Sequence, residues 1–136
     1  MRLLWLCSWI VIGCAKGPVE IAIGQDVCDH CRMVITDIRF AAEIVNQNGK
    51  VFKFDSIECM VAHRADVANI HSLWVQDFLN PSEWIEAHQA VYLKSENLPS
   101  PMGGFLSAYA QESAAAAARE QYGGLLRTFD QLKADR

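Results

Sequence analysis

The chain has no run of Lys and Arg, no glycine-rich phosphate loop, and no Ser/His/Asp set or distinctively spaced carboxylate pair. The first absence removes nucleic acid as a partner, because a backbone-binding surface needs clustered cations. The second and third remove nucleotide chemistry and the usual hydrolytic centres, so the sequence offers a binding site and not an active site, and the chain is read as a non-enzyme. Apolar runs are short too. None reaches the roughly 20 residues that a bilayer-spanning helix requires.

What is present begins at the N-terminus. Met1 and Arg2 are followed by an apolar stretch that ends Val11-Ile12-Gly13-Cys14. One positive charge, a short apolar segment and a small residue before a cysteine are the parts of a secretory signal peptide. The ending is similar to a bacterial lipobox, in which lipid is attached to the cysteine and the preceding peptide is removed. Residues 1–13 are therefore expected to be a signal peptide, Cys14 the lipidated mature terminus, and 14–20 a short tether. The protein is expected to sit in the bacterial cell envelope, lipid-anchored and facing the periplasm, on the outer membrane in preference to the inner. Loss of Arg2 leaves 11 basic against 16 acidic residues, a formal charge of −5.

Removal of Cys7 with the signal and use of Cys14 for lipid leave three thiols, Cys28, Cys31 and Cys59. An odd number cannot all pair within one chain. In an oxidising compartment the remaining thiol needs a role, and soft-metal ligation is one.

The remaining chain reads as α+β, with two packed, duplicated ββαβ units over 21–80 and 81–136. A β-branched segment over 38–46 runs into Asn46-Gln47-Asn48-Gly49 and an alternating segment over 50–54, which is a hairpin signal. Asp55-Ser56 with Glu58 predicts a helix start, with apolar positions continuing to about Asn69, and 71–78 predicts a strand. Beyond an apolar patch at Trp84-Ile85, the order returns: strands over 90–94 and 105–109, an alanine-rich helix over 111–122, a Gly123-Gly124 stop, and a strand over 125–129.

Cys28-Asp29-His30-Cys31-Arg32-Met33 is the densest set of metal-capable side chains, placed in a loop before the hairpin. Thiolate and thioether are soft donors that suit Cu(I). Met33 lies two residues from Cys31, and Met102 sits in Pro101-Met102-Gly103-Gly104, a turn that exposes its side chain. The expected ligands are Cys31 as thiolate anchor, Met33 as neutral donor, and Cys28 or Met102 as the third. Met60 reads as core, and Cys59 as buried beside it. Three alternatives stand beside copper: a structural zinc site of Cys28, Cys31, Cys59 and His63, a thiol–disulfide centre of Cys28 and Cys31, and a plain disulfide.

Asp26-x-Cys28-x-x-Cys31-x-Met33, Phe54-Asp55-Ser56-Ile57-Glu58-Cys59-Met60, and 101–109 from Pro101-Met102-Gly103-Gly104 to Tyr109 together resemble the NosL family of copper-binding lipoproteins. The likeness runs from Asp26 to about Leu132 and includes the lipobox. It implies a duplicated ββαβ architecture, Cu(I) bound through a Cys-x-Met element that falls on Cys31 and Met33, and delivery to apo nitrous-oxide reductase or its membrane-bound assembly machinery. Met102 matches a family Met-Gly position. His30 and Arg32 flank Cys31 where small or aromatic residues are familiar in the family.

Overall fold

A computed structural model describes residues 16–134; the expected signal peptide and Cys14 lie outside them. Among the described residues, two antiparallel sheets and three α-helices form an α+β arrangement. Strands β1 (Ala42–Asn46) and β2 (Val51–Phe54) form the expected hairpin. Its turn is held by the Asn46 side chain, whose Oδ1 accepts from the N–H groups of Asn48 and Lys50 at 3.0 and 2.9 Å. Gly49, at φ +83°, supplies the left-handed residue that the reversal needs.

Helix α1 (Ile57–His63) follows directly, with Ser56 as its N-cap. It stops earlier than its apolar spacing predicts. A 3-10 turn (Arg64–Asp66) and Asn69 at φ +53° bring the chain back as β3 (Ile70–Gln76). The strand expected from residue 38 starts only at Ala42, because Asp37 accepts from the Arg39 N–H and caps a 3-10 turn over Ile38–Phe40. Trp84-Ile85, expected only as an apolar patch, is part of β4 (Trp84–Glu86), which pairs with β3 and completes the order β2-β1-β3-β4.

The second sheet contains β5 (Val91–Lys94), β6 (Leu106–Tyr109) and β7 (Leu125–Arg127) in the order β6-β5-β7. Helix α2 (Glu112–Tyr122) connects β6 to β7 and ends at Gly123, φ +72°. The order ββαβ thus occurs twice, each time with the first strand between the second and third. The last strand was expected to reach 129, but Phe129 instead opens α3 (Phe129–Ala134). Thr128 and Gln131 explain this reciprocally: the Thr128 N–H donates to Gln131 Oε1, and the Gln131 N–H donates to Thr128 Oγ1. That is a capping box.

The apolar interior joins the two sheets. Ile44, Phe54, Ile57 and Met60 pack in one cluster with Tyr92, Leu106, Ala108 and Phe129. Each such large side chain contributes about 1.5–3 kcal/mol by leaving water. Ala115 and Ala118 present the small face of α2 to Leu93 and Tyr109. Among the described residues, no helix is long and apolar enough to cross a membrane.

Candidate metal centre

The cysteine loop is shaped by backbone hydrogen bonds. Cys28 N–H donates to the Met33 carbonyl at 2.8 Å, Arg32 N–H donates to the Cys28 carbonyl at 3.0 Å, and Val27 bridges Val34. Arg32 takes φ +66°, a left-handed conformation that is uncommon for a side chain with a Cβ and that closes the loop tightly. The loop is then clamped onto β2. Asp29 N–H donates to the Lys53 carbonyl at 2.8 Å, and Lys53 N–H donates to Asp29 Oδ2 at 2.7 Å. Lys53 Nζ also pairs with Asp26, which lowers the Asp26 pKa.

This clamp sets the loop against the segment where β2 gives way to α1. The consequence is a four-donor group: ligand atoms of Cys28, Cys31, Asp55 and Cys59 all lie within 4.8 Å of one another. Cys28, Asp55 and Cys59 are buried, while Cys31 is half-buried at the opening. All three cysteines are free thiols, which does not match the plain-disulfide alternative.

Electrostatics within the group are unequal. Cys28 is held down to about 6, first because the Cys59 thiol donates to it and then because backbone N–H groups of Cys31, Asp55 and His30 surround its sulfur, against the effect of burial. Cys31 N–H lies 3.5 Å from that sulfur. Cys31 is pushed up to about 11, chiefly by burial, and its Sγ donates to Asp55 Oδ2 at 3.4 Å. Cys59 is raised as the donor to Cys28 and by burial. The other oxygen of Asp55, Oδ1, is buried without a hydrogen-bond partner. The set therefore holds one sulfur ready as thiolate, two sulfurs whose protons a soft cation can displace, and one free carboxylate acceptor.

Of the residues expected from sequence, Cys28 and Cys31 are brought together. Met33 is two residues from Cys31 and is 57% exposed. Met102 is 42% exposed in its turn, whereas Met60 is fully buried in the core, as expected. Cys59, expected to be buried beside Met60 and a ligand of the zinc alternative, is buried, and its sulfur belongs to the group. Asp55 is not among the ligands expected from sequence; the signals available for it are its place in the Phe54–Met60 motif, one residue before an N-cap and four before a cysteine. His63, the fourth ligand of the zinc alternative, is not in the group. Its ring packs edge-on against His30 and tilted against Phe52 and Phe54, with centroids 5.4–5.9 Å away. Nor does a helix begin at Cys28-x-x-Cys31, as a thioredoxin-like centre would require.

A family model described as NosL matches residues 18–136. The fold is similar to the crystal structure of the copper chaperone NosL from Shewanella denitrificans, with a TM-score of 0.76 and 24% identity, covering 88% of this chain and 98% of that one. No curated protein matches the chain.

Proposed function

The chain belongs to the NosL family, and on that premise we propose that it carries Cu(I) as cargo, taking it up at the thiol group and passing it to an apo-enzyme. The observation that carries this reading is the concentration of three free thiols within 4.8 Å of one another, one of which, Cys31, is half-buried and two residues from the exposed Met33. Cys31 is the anchor, Met33 the neutral donor, and Cys28 or Met102 the third donor. Soft sulfur favours Cu(I) over hard cations. A partly open site lets an incoming ligand of the acceptor add before a departing one leaves, so release does not require a bare ion. The description of the Shewanella denitrificans structure as a copper chaperone supports the same role.

The acceptor in this proposal is nitrous-oxide reductase, or the membrane-bound machinery that assembles its copper centres. Lipidation of Cys14 keeps the carrier at the envelope, facing the periplasm, in keeping with the lipobox-like sequence before it. Replacing Cys14 with Ser is expected to release the chain from membranes; retention after a carbonate wash would remove the anchor.

The experiment is a competition titration of the whole chain against a Cu(I)-selective chelator, followed by transfer to apo nitrous-oxide reductase. One Cu(I) per chain, with recovery of reductase copper, supports the role. Failure to take copper from the chelator, together with turnover of a disulfide substrate, gives the function to Cys28 and Cys31 as a redox pair. Tight zinc whose removal unfolds the chain gives it a structural role instead.

A further inference from the structure

The turn that carries Met102 is built with more constraint than an exposed loop needs. Gly103 N–H donates to the Ser100 carbonyl at 3.0 Å, closing a turn over Ser100–Gly103, with Gly103 at φ +71°. Two residues later Phe105 takes φ +60°. A bulky side chain is strained in that region and persists there only where surrounding contacts impose it.

Those contacts converge on Glu58. Its Oε1 accepts from the Ser100 hydroxyl and from Gly104 N–H at 3.0 Å, and Ser100 Oγ in turn accepts from Phe105 N–H at 2.9 Å. The second carboxylate oxygen, Oε2, is buried with no partner. Gly104 lies so close that a Cβ there would stand 2.7 Å from three carbons of the Glu58 side chain. Glu58 is also the residue before Cys59, in the first turn of α1. The turn bearing an exposed thioether is thus pinned, over more than 40 residues of sequence, to the neighbour of a thiol in the donor group.

We propose that Glu58 is a positioning residue for Met102: by fastening the 100–105 turn to the first turn of α1, it sets where the Met102 thioether meets a copper ion held by the thiols. This rests on the Cu(I) reading above. A link serving only to join the two sheets would have no reason to end in a strained turn that displays methionine sulfur to solvent. It would also leave copper coordination unchanged when cut.

The test compares Met102→Leu, Glu58→Ala, Glu58→Gln and Gly104→Ala in the whole chain, in detergent. The readouts are chelator competition for Cu(I), the number of sulfurs around copper by X-ray absorption, and an unfolding midpoint. Met102→Leu and Glu58→Ala are expected to weaken binding by the same factor, about tenfold, with the double variant no weaker than either and one sulfur lost from the copper shell. Glu58→Gln keeps an acceptor oxygen and restores binding. Gly104→Ala drives the turn and the Glu58 side chain apart and reproduces the loss without changing the residue at 58. If Met102→Leu is silent, Met102 is not a ligand and the proposal falls with that part of the copper reading. If Met102→Leu weakens binding while Glu58→Ala and Gly104→Ala keep the full sulfur count, the positioning role alone is overturned. Additive losses in the double variant overturn it likewise.

Discussion

Cys31 Sγ donates to Asp55 Oδ2 at 3.4 Å, across 24 residues of sequence, and so ties the half-buried end of the thiol group to the start of α1. The bond orients the half-buried sulfur of the group and adds a little to the rise in its pKa, which burial chiefly causes. It also places a carboxylate with one unsatisfied oxygen beside three sulfurs.

From that arrangement, Cu(I) affinity is expected to fall most with Cys31→Ser and less with Met33→Leu. An anionic sulfur offsets the charge of the ion, and a thioether does not. Cys31→Ser should cost well over tenfold, more than about 1.4 kcal/mol, with Met33→Leu nearer tenfold. Zn(II) affinity should not respond to Met33→Leu. Chelator competition for each metal checks this. A silent Met33→Leu for copper, combined with dominant losses in Cys59→Ala and His63→Ala, would move the site to the zinc alternative.

The methionines provide an internal control. Met60 is fully buried among Ile44, Phe54 and Ile57, so its thioether packs the interior. Met60→Ala is expected to destabilise the fold by about 2–5 kcal/mol, while Met60→Leu costs under about 1.5 kcal/mol. Urea unfolding measures both. Copper stoichiometry of the Met60→Leu chain should equal that of the natural one, and a lost sulfur in its copper shell would make Met60 a ligand.

How much of this was legible in the sequence depended on distance along the chain. The hairpin, the start of α1 and the Gly123 stop were readable because Asn46 with Gly49, Ser56 and Gly123 act within a few residues. The capping box at Thr128 and Gln131 was equally local, but the apolar Leu125, Leu126 and Phe129 around it suggested that the strand ran on through Phe129. Strand β4 is three residues at a sheet edge, too short for a periodic signal, and only its pairing with β3 defines it. At the site, Cys28 and Cys31 declared themselves by spacing. Cys59 and Asp55 join them because the Asp29–Lys53 clamp brings the cysteine loop onto β2, and a contact of that separation leaves no periodic trace.

Ser56 links helix capping to the thiol group. Its Oγ accepts from Cys59 N–H at 3.3 Å, fixing the residue that donates its S–H to Cys28. Ser56→Ala is expected to lower stability by about 1 kcal/mol, with copper affinity reduced as Cys59 loosens. Ser56→Asp keeps a capping oxygen and should recover the helix. Unfolding midpoints and chelator competition, measured together, decide it; full copper affinity in Ser56→Ala would show that the cap does not act on the thiols.

One contribution to the pH dependence of stability is expected from Glu43, fully buried on β1, and comparison with a variant at that position isolates it from the opposite contribution of Cys28. Glu43 Oε2 accepts from Val19 N–H at 2.9 Å, and its Oε1 has no partner. Burial pushes this carboxyl from 4.5 to about 7, with Asp26 adding to the rise and Val19 N–H and Lys53 opposing it. An acid whose folded pKa is raised binds its proton more tightly when folded than when unfolded. The stabilisation is therefore complete below about 4.5 and is lost as pH climbs through about 7. The size is up to about 3 kcal/mol from the shift alone. Glu43→Gln stays neutral at every pH and keeps an oxygen for Val19 N–H, so it should remove this decline and exceed the natural chain in stability at pH 8. Urea unfolding of both chains at pH 5 and pH 8 makes the comparison. Parallel losses in the two would mean that Glu43 ionises in the folded state at its ordinary value, and that the grip on Val19 does not depend on the proton.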